Sequence, residues 1–139
     1  MARTWWRLLP CLSPKEDHPT PCAEDLRSEV RTAQIRDGLS QTYLVGEKYV
    51  SLGGYLTADD PGYDQSMFSG VDLDLNRWTL EPPLPDRSFQ SPRRFGSAHA
   101  THCQMLFCDG SVHAVSYFVD RVIHQQLGNR QDGHATVLP

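Results

Sequence analysis

The sequence lacks any long hydrophobic run. No apolar stretch approaches the roughly 18–20 residues that a helix needs to cross a bilayer, so the sequence predicts no membrane segment in this chain. A basic excess is lacking as well, since the formal net charge is −4 and charges of both signs are mixed along the chain. Because nucleic-acid-binding proteins carry a basic patch or stripe, this balance argues against a nucleic-acid partner.

Motifs of the common catalytic classes are also missing. The chain has no Gly-x-Ser-x-Gly nucleophile elbow and no phosphate-cradling glycine loop. Four cysteines and six histidines are present, but they do not form the closely spaced pairs of a structural zinc site. The sequence therefore predicts a protein that is not an enzyme, with no catalytic residues, no cofactor and no metal site.

The segment 95–119 predicts a β-hairpin. Two β-favouring runs, 103–108 and 111–119, flank Asp109 and Gly110. An Asp-Gly pair suits a two-residue type I′ turn, because both central positions of that turn need a positive φ. The register that such a turn imposes defines one mostly apolar face, which we expect to be buried. Its members are Cys103, Met105, Phe107, Val112, Ala114 and Phe118.

The same register limits what the cysteines and histidines can do. Cys103 and Cys108 would lie on opposite faces about 16 Å apart, which is too far for a disulfide bond. His113 and Cys108 would be diagonal neighbours, so they supply at best half of a metal site. Cys11 and Cys22 could pair across the N-terminal part of the chain, but nothing in the sequence requires it.

The flanking segments complete an α+β fold with an antiparallel sheet, a central β-hairpin and short helices. Asp120 is a candidate N-cap and Gly128 a candidate left-handed terminator, and between them they predict a helix of about two turns. Residues 42–50 predict a strand in which Gly46 marks a bulge or a close approach of another backbone. Residues 28–35 predict a further short strand.

The sequence divides into an irregular N-terminal arm, residues 1–27, and a globular domain, residues 28–139. A long loop is expected at 51–94, where Gly, Pro, Asp and Ser are dense. Its part 59–78 combines aromatic and acidic residues and suggests an alternative function, a free-standing module that binds calcium or another ligand. The acidic residues are Asp59, Asp60, Asp64, Asp72 and Asp74, but they lack the regular spacing of a helix–loop–helix calcium site.

A spaced motif links the hairpin to a known family. His99, nine intervening residues and then Asp109-Gly110 resemble the H-x9-DG signature of bacterial prepilin-like proteins of unknown function, which are related to the pseudopilins of type II secretion. The resemblance covers most of residues 29–137. Further matching segments are FGSAH, FCDGSVHAVSY, IRDGLSQTYLVGEKY and LGNRQDG.

The resemblance implies a structural head domain, with His99, Asp109 and Gly110 as structural motif residues. Full-length relatives are expected in the cell envelope or outside the cytoplasm, where they associate with themselves or with other pilin-like subunits. Relatives begin with a leader and a long N-terminal helix, neither of which this sequence contains, so the expectation is a head domain truncated at its N-terminus. The residues expected to lack their cover without that helix are Met105, Phe107, Val112 and Phe118.

Overall fold

Short strands and helices surround a three-stranded antiparallel sheet. The structure is a computed structural model and describes residues 30–64, 72–134, 136 and 138, so the expected arm 1–27 lies outside the described residues. The elements are 3-10 helices at Thr32–Gln34 and Leu39–Gln41, β1 (Tyr43–Gly46), α1 (Gly54–Thr57), β2 (Leu84–Pro85), β3 (Gly96–Ser97), β4 (His102–Phe107), β5 (Val112–Ser116) and α2 (Arg121–Leu127). The predicted α+β class is confirmed. No helix in these described ranges is long and apolar enough to span a bilayer.

Strand β4 is the centre of the main sheet, whose strand order is β1-β4-β5. Its side chains alternate, and the predicted inward-facing residues Cys103, Met105 and Phe107 are all buried. Burial of a large apolar side chain stabilises the fold by about 1.5–3 kcal/mol, so this face supplies much of the driving force for folding. The short strands β2 and β3 form a separate parallel pair.

The hairpin turn has three residues rather than the predicted two. The Phe107 N–H donates to the Ser111 carbonyl at 2.8 Å, which leaves Cys108, Asp109 and Gly110 as the loop. Gly110 has φ +87°, but Asp109 does not have a positive φ, so the type I′ prediction is wrong. The Asp109 carboxylate instead accepts the Ser111 N–H at 2.8 Å, which stabilises a turn followed by a left-handed glycine.

The extra loop residue shifts β5 by one position against β4. Leu106 pairs with Val112, whereas the two-residue turn would have paired Phe107 with Val112. Because side chains alternate along a strand, this shift moves each β5 side chain to the opposite face, and the predicted β5 half of the core is wrong. The residues exposed against prediction are Val112, Ala114 and Phe118, and those buried in their place are Val115 and Tyr117.

Helix α2 begins as predicted and ends differently. The Asp120 carboxylate accepts the N–H groups of Val122 at 2.8 Å and Ile123 at 3.2 Å, which confirms the N-cap. Gly128 has φ −83°, so the predicted left-handed end is wrong. Its lack of a side chain serves packing instead, because a Cβ there would lie 2.2 Å from the Thr79 Oγ1.

Helix α2 also covers the apolar face of the sheet. Leu127 is fully buried against this face, and Ile123 and Phe95 pack beside it. The expectation that Met105 and Phe107 lack cover is therefore wrong, since both are almost completely buried. The complete cluster of buried residues is Tyr43, Cys103, Met105, Phe107, Val115, Tyr117, Val119 and Leu127.

Gly46 at the end of β1 permits a close approach, but of two side chains and not of another backbone as predicted. A Cβ there would lie 2.3 Å from the Met105 Sδ and 2.7 Å from the Phe95 ring. The irregular pairing of β1 lies two residues away, between Tyr43 and Val45.

Strand β1 is shorter than the predicted 42–50. The Glu47 N–H still donates to the Gln104 carbonyl of β4 at 3.1 Å, and the next residue, Lys48, forms a bridge with Phe95 instead.

The predicted strand over 28–35 is wrong in its described part. Residues 32–34 form a 3-10 helix, in which the Gln34 side chain accepts the Arg31 N–H at 2.8 Å. This local bond favours a helical turn over an extended chain. The preceding residues 28 and 29 lie outside the described ranges.

The segment 51–94, expected to be a long loop, contains α1 and β2. Its described parts are tied to the strands that flank it. The Leu52 N–H donates to the Arg87 carbonyl at 2.8 Å, and the Tyr49 O–H donates to the Phe89 carbonyl at 2.5 Å. These bonds bring α1 and the residues after β2 together beside the loop that precedes β4.

Candidate functional site

His99 lies in the loop between β3 and β4, and its backbone is held from both sides. The His99 N–H donates to the Ser97 Oγ at 3.2 Å, and the Tyr117 O–H donates to the His99 carbonyl at 2.7 Å. Its imidazole ring stacks on the ring of His102, with centroids 5.1 Å apart and planes 11° apart. The loop conformation around His99 is therefore fixed by Ser97 and Tyr117, while the imidazole is half exposed.

Glu47 connects this histidine to the sheet. One oxygen of its carboxylate lies 3.5 Å from the His99 Nε2, and the other accepts the Gln104 N–H at 2.6 Å. The Glu47 backbone also accepts the Gly96 N–H at 3.0 Å. Because both side chains of the pair are partly exposed, their attraction is screened by water and contributes little to stability. Its main effect is to orient the His99 ring.

A shallow cleft of about 330 Å³ opens beside His99. Its lining residues are Leu52, Tyr55, Pro85, Asp86, Arg87, Ala98, His99 and Ala100. The Asp86 carboxylate accepts the Tyr55 O–H and, at 3.1 Å, the Val50 N–H. The hydrogen bond to Asp86 and partial burial raise the pKa of Tyr55 to about 12, so this phenol keeps its proton near neutral pH. The Asp86–Tyr55 pair consequently provides neither a nucleophile nor a free base.

Asp109 and Gly110, the other two motif residues, lie at the far end of β4 from His99. The Asp109 carboxylate accepts both the N–H and the O–H of Ser111, and these bonds lower its pKa. Gly110 provides the left-handed residue of the turn. The structure therefore does not bring His99 and Asp109 together, because His99 lies in the loop before β4 and Asp109 lies in the turn after β4.

The two described cysteines are unsuited to nucleophilic chemistry. Burial raises the pKa of Cys103 to about 12 and also raises the pKa of Cys108, so both remain thiols near neutral pH. The Cys108 Sγ donates to the Tyr43 carbonyl at 3.7 Å. The ring centroids of His113 and Phe107 are 4.8 Å apart. The shifted register removes the half-site predicted for His113 and Cys108. Cys11 and Cys22 lie outside the described residues.

The acidic loop uses its buried carboxylates internally. Asp60 accepts the N–H groups of Ser51 at 2.8 Å and Gly62 at 2.9 Å. Burial alone would raise the pKa of Asp60, but these hydrogen bonds lower it overall. Asp74 pairs with the Lys48 Nζ at 3.3 Å. Across the ranges that the structure describes, no group of three histidine, cysteine or acidic side chains is placed to hold a metal ion.

The sequence predicted no site role for Asp86, Tyr55, Glu47 or Lys48. Glu47 and Lys48 are adjacent in sequence, yet each pairs with a more distant side chain, Glu47 with His99 and Lys48 with Asp74. One signal was present, namely a glutamate directly after the glycine that ends β1, a position that the prepilin-like resemblance also includes. Its pairing with His99 is a long-range contact that no local pattern indicates.

Comparison with known proteins gives a single assignment. No curated protein matches the sequence, and no solved structure matches it. The model of a protein family described as "Protein of unknown function (DUF1559)" matches residues 13–122, which is most of the chain. The protein is therefore a member of the DUF1559 family.

Proposed function

We propose that this chain is the structural, non-enzymatic head domain of a pseudopilin-like surface protein related to the subunits of type II secretion systems and type IV pili. Membership of the DUF1559 family supports the proposal, and so does the prepilin-like H-x9-DG spacing from His99 to Asp109 and Gly110. The proposal places the protein in the cell envelope, with other pilin-like subunits or further copies of itself as partners.

The observation that carries the proposal is the use of the motif residues. The backbone of His99 anchors the loop before β4, and Asp109 with Gly110 closes the turn after it. All three thus hold the two ends of the central strand instead of meeting at a reaction centre. This arrangement is expected of a motif that maintains a fold.

The chemistry around His99 is consistent with a non-enzymatic role. A nucleophile needs a lowered pKa or an adjacent base, whereas the pKa values of Tyr55, Cys103 and Cys108 are all raised. The alternative of a calcium module is not favoured, because the carboxylate of Asp60 is already hydrogen-bonded to two backbone amides.

Cell fractionation with an antibody against the protein tests the proposed location. We expect the protein in the envelope fraction, and we expect in vivo crosslinking followed by mass spectrometry to recover pilin-like subunits. A cytoplasmic enzyme followed in the same fractions controls for leakage. Recovery of the protein only with that cytoplasmic marker would contradict the proposal.

A substrate screen tests the non-enzymatic part separately. We expect no turnover of hydrolase, transferase or redox substrates by the purified protein. Turnover that His99→Ala abolishes, while the variant melts at the same temperature as the wild type, would contradict this part of the proposal.

A further inference from the structure

The cleft beside His99 contains polar groups that the fold leaves available. Its volume of about 330 Å³ falls within the roughly 300–1,000 Å³ of small-molecule sites. The Arg87 side chain is exposed, and its guanidinium has no hydrogen bond or ion pair within the part of the chain that the structure describes. Each oxygen of the Asp86 carboxylate accepts one hydrogen bond, from Val50 or from Tyr55, and so keeps a second lone pair. The cleft therefore offers guanidinium donors and carboxylate acceptors side by side.

The charges of the cleft restrict the kind of ligand that it can take. An anion would pair with Arg87 but would also meet the carboxylate of Asp86, and the Glu47 carboxylate lies next to His99. A cation would be repelled by Arg87 in the same way. A purely apolar ligand would remove both charged groups from water without replacing their hydrogen bonds, which is costly. The charges therefore favour a neutral ligand whose groups both donate and accept hydrogen bonds, as hydroxyl groups do.

The rest of the cleft wall is apolar and includes an aromatic ring. Tyr55 is 46% exposed although its O–H is bound to Asp86, and the neighbouring Leu52 is 51% exposed. The bond to Asp86 restricts the Tyr55 ring before a ligand arrives, which reduces the entropy lost on binding. The negatively charged face of an aromatic ring attracts C–H groups. The apolar wall consists of Leu52, Tyr55, Pro85, Ala98 and Ala100.

We propose that this cleft binds a neutral saccharide. A pyranose ring has a face of C–H groups and a rim of neighbouring hydroxyl groups, so it matches both parts of the cleft at once. Its C–H face lies against Tyr55 and Leu52, and its hydroxyl groups bind Arg87 and Asp86. The planar fork of a guanidinium presents adjacent N–H donors, which suits two neighbouring hydroxyl groups. A free amino acid would balance the same two charges, but it is too small to cover the apolar wall.

The saccharide site goes beyond the proposed structural role and does not depend on it. Holding a saccharide breaks no covalent bond, so it is compatible with a non-enzymatic head domain. The site is also separate from the acidic loop 59–78, since no residue that lines the cleft belongs to that loop. If the cleft binds no saccharide, the location in the cell envelope keeps its own test.

An NMR titration of the isotope-labelled full chain with neutral hexasaccharides tests the proposal. The probes are maltohexaose, cellohexaose and N-acetylchitohexaose, which differ in linkage and in substituent. We expect at least one of them to shift the backbone amides of residues 52–55, 86–87 and 98–100 in a saturable way. Arg87→Ala should weaken this binding by about tenfold or more, because hydrogen bonds from a charged donor are lost. Arg93→Ala removes an exposed arginine that does not line the cleft, and this matched control should bind like the wild type.

Two variants of Tyr55 test the aromatic wall separately. Tyr55→Ala removes the ring, and we expect it to weaken binding by about tenfold. Tyr55→Phe keeps the ring and should retain most of the affinity, which distinguishes contact with the ring from contact with the hydroxyl. The melting temperature of each variant is measured beside its affinity, so that a loss of folding is not counted as a loss of binding.

Several outcomes would overturn the proposal. One is the absence of a saturable shift with all three neutral probes, and another is a shift confined to residues outside the cleft. Binding that Arg87→Ala leaves unchanged would overturn it as well. Hexagalacturonate and glycine are the charged probes, one anionic and the other zwitterionic. If either bound as tightly as the best neutral probe, charge and not the hydroxyl groups would select the ligand, and the assignment to a neutral saccharide would be wrong.

Discussion

His124 should make the stability of this domain depend on pH. It lies on α2 and is fully buried, with its ring centroid 5.5 Å from that of Tyr43 and 6.1 Å from that of Phe95. The Tyr43 hydroxyl lies 3.4 Å from its Nδ1, and its Nε2 has no hydrogen-bond partner among the described residues. Burial lowers the pKa of His124 to about 4, because the charged imidazolium would lose its hydration.

The direction of the effect follows from proton binding in the two states. An exposed histidine in the unfolded chain has a pKa of about 6.5. As the pH falls from about 6.5 to 4, the unfolded state takes up a proton that the folded state does not, so the free energy of unfolding decreases, and it levels off below pH 4. A downward shift to about 4 corresponds to about 3 kcal/mol at about 1.4 kcal/mol per pKa unit. That is a large share of the roughly 5–15 kcal/mol that stabilises a typical domain.

Urea unfolding at two pH values measures this contribution. For the wild type we expect the free energy of unfolding to fall by about 2–3 kcal/mol between about pH 7 and pH 4.5. His124→Leu removes the titrating group, and we expect most of this fall to disappear. His134→Leu replaces an exposed histidine and is the control that should keep the wild-type dependence. Equal pH dependence in His124→Leu and the wild type would refute the reasoning, as would an NMR titration that places the folded-state pKa of His124 near 6.5.

Three further predictions concern single features of the fold. Gly110→Val should lower the free energy of unfolding by about 1–3 kcal/mol, because a β-branched residue resists φ +87°. The control Gly110→Asn should lower it less. Equal melting temperatures of Gly110→Val and the wild type in thermal melts would contradict this. Asp120→Ala should lower the free energy of unfolding, measured by urea unfolding, by about 1 kcal/mol, because the α2 cap is lost. Asp120→Asn should lower it much less. Equal decreases in the two variants would mean that capping is not the cause. Adding millimolar calcium should leave the melting temperature unchanged, because Asp60 is already hydrogen-bonded to backbone amides and Asp74 pairs with Lys48. A rise in melting temperature that saturates with calcium concentration would contradict this prediction.

Features set by local sequence could be predicted. The alternation of apolar residues over Cys103, Met105 and Phe107 identified the buried face of β4, since period-2 burial is a property of the strand itself. The Asp120 cap was likewise predictable, because its acceptor and the amides it binds are neighbours in sequence. Gly46 indicated a close approach, although the atoms that approach it belong to the side chains of Met105 and Phe95 and not to another backbone.

The turn type could not be predicted in the same way. An Asp-Gly pair fits a two-residue loop, and it also fits a three-residue loop in which glycine alone has a positive φ. In the observed three-residue loop, the Cys108 N–H donates to the Thr42 carbonyl at 2.9 Å and the Asp109 N–H donates to the Leu39 carbonyl at 3.1 Å. Both acceptors are distant in sequence, so the sequence of the hairpin alone does not indicate these hydrogen bonds.

The contacts of His99 could not be predicted for a related reason, because their partners Tyr117 and Glu47 are distant in sequence. The contact with Tyr117 also explains the observed register. In the observed register Tyr117 faces the core side, where its hydroxyl donates to the His99 carbonyl at 2.7 Å and lies 3.0 Å from the Ser97 Oγ. In the predicted register Tyr117 would face the opposite side, and the loop before β4 would lose this anchor. The one-residue shift therefore positions His99 and at the same time turns Val112 and Ala114 outward. The conformation of the His99 loop and the exposure of Val112 and Ala114 are two consequences of the same choice of register.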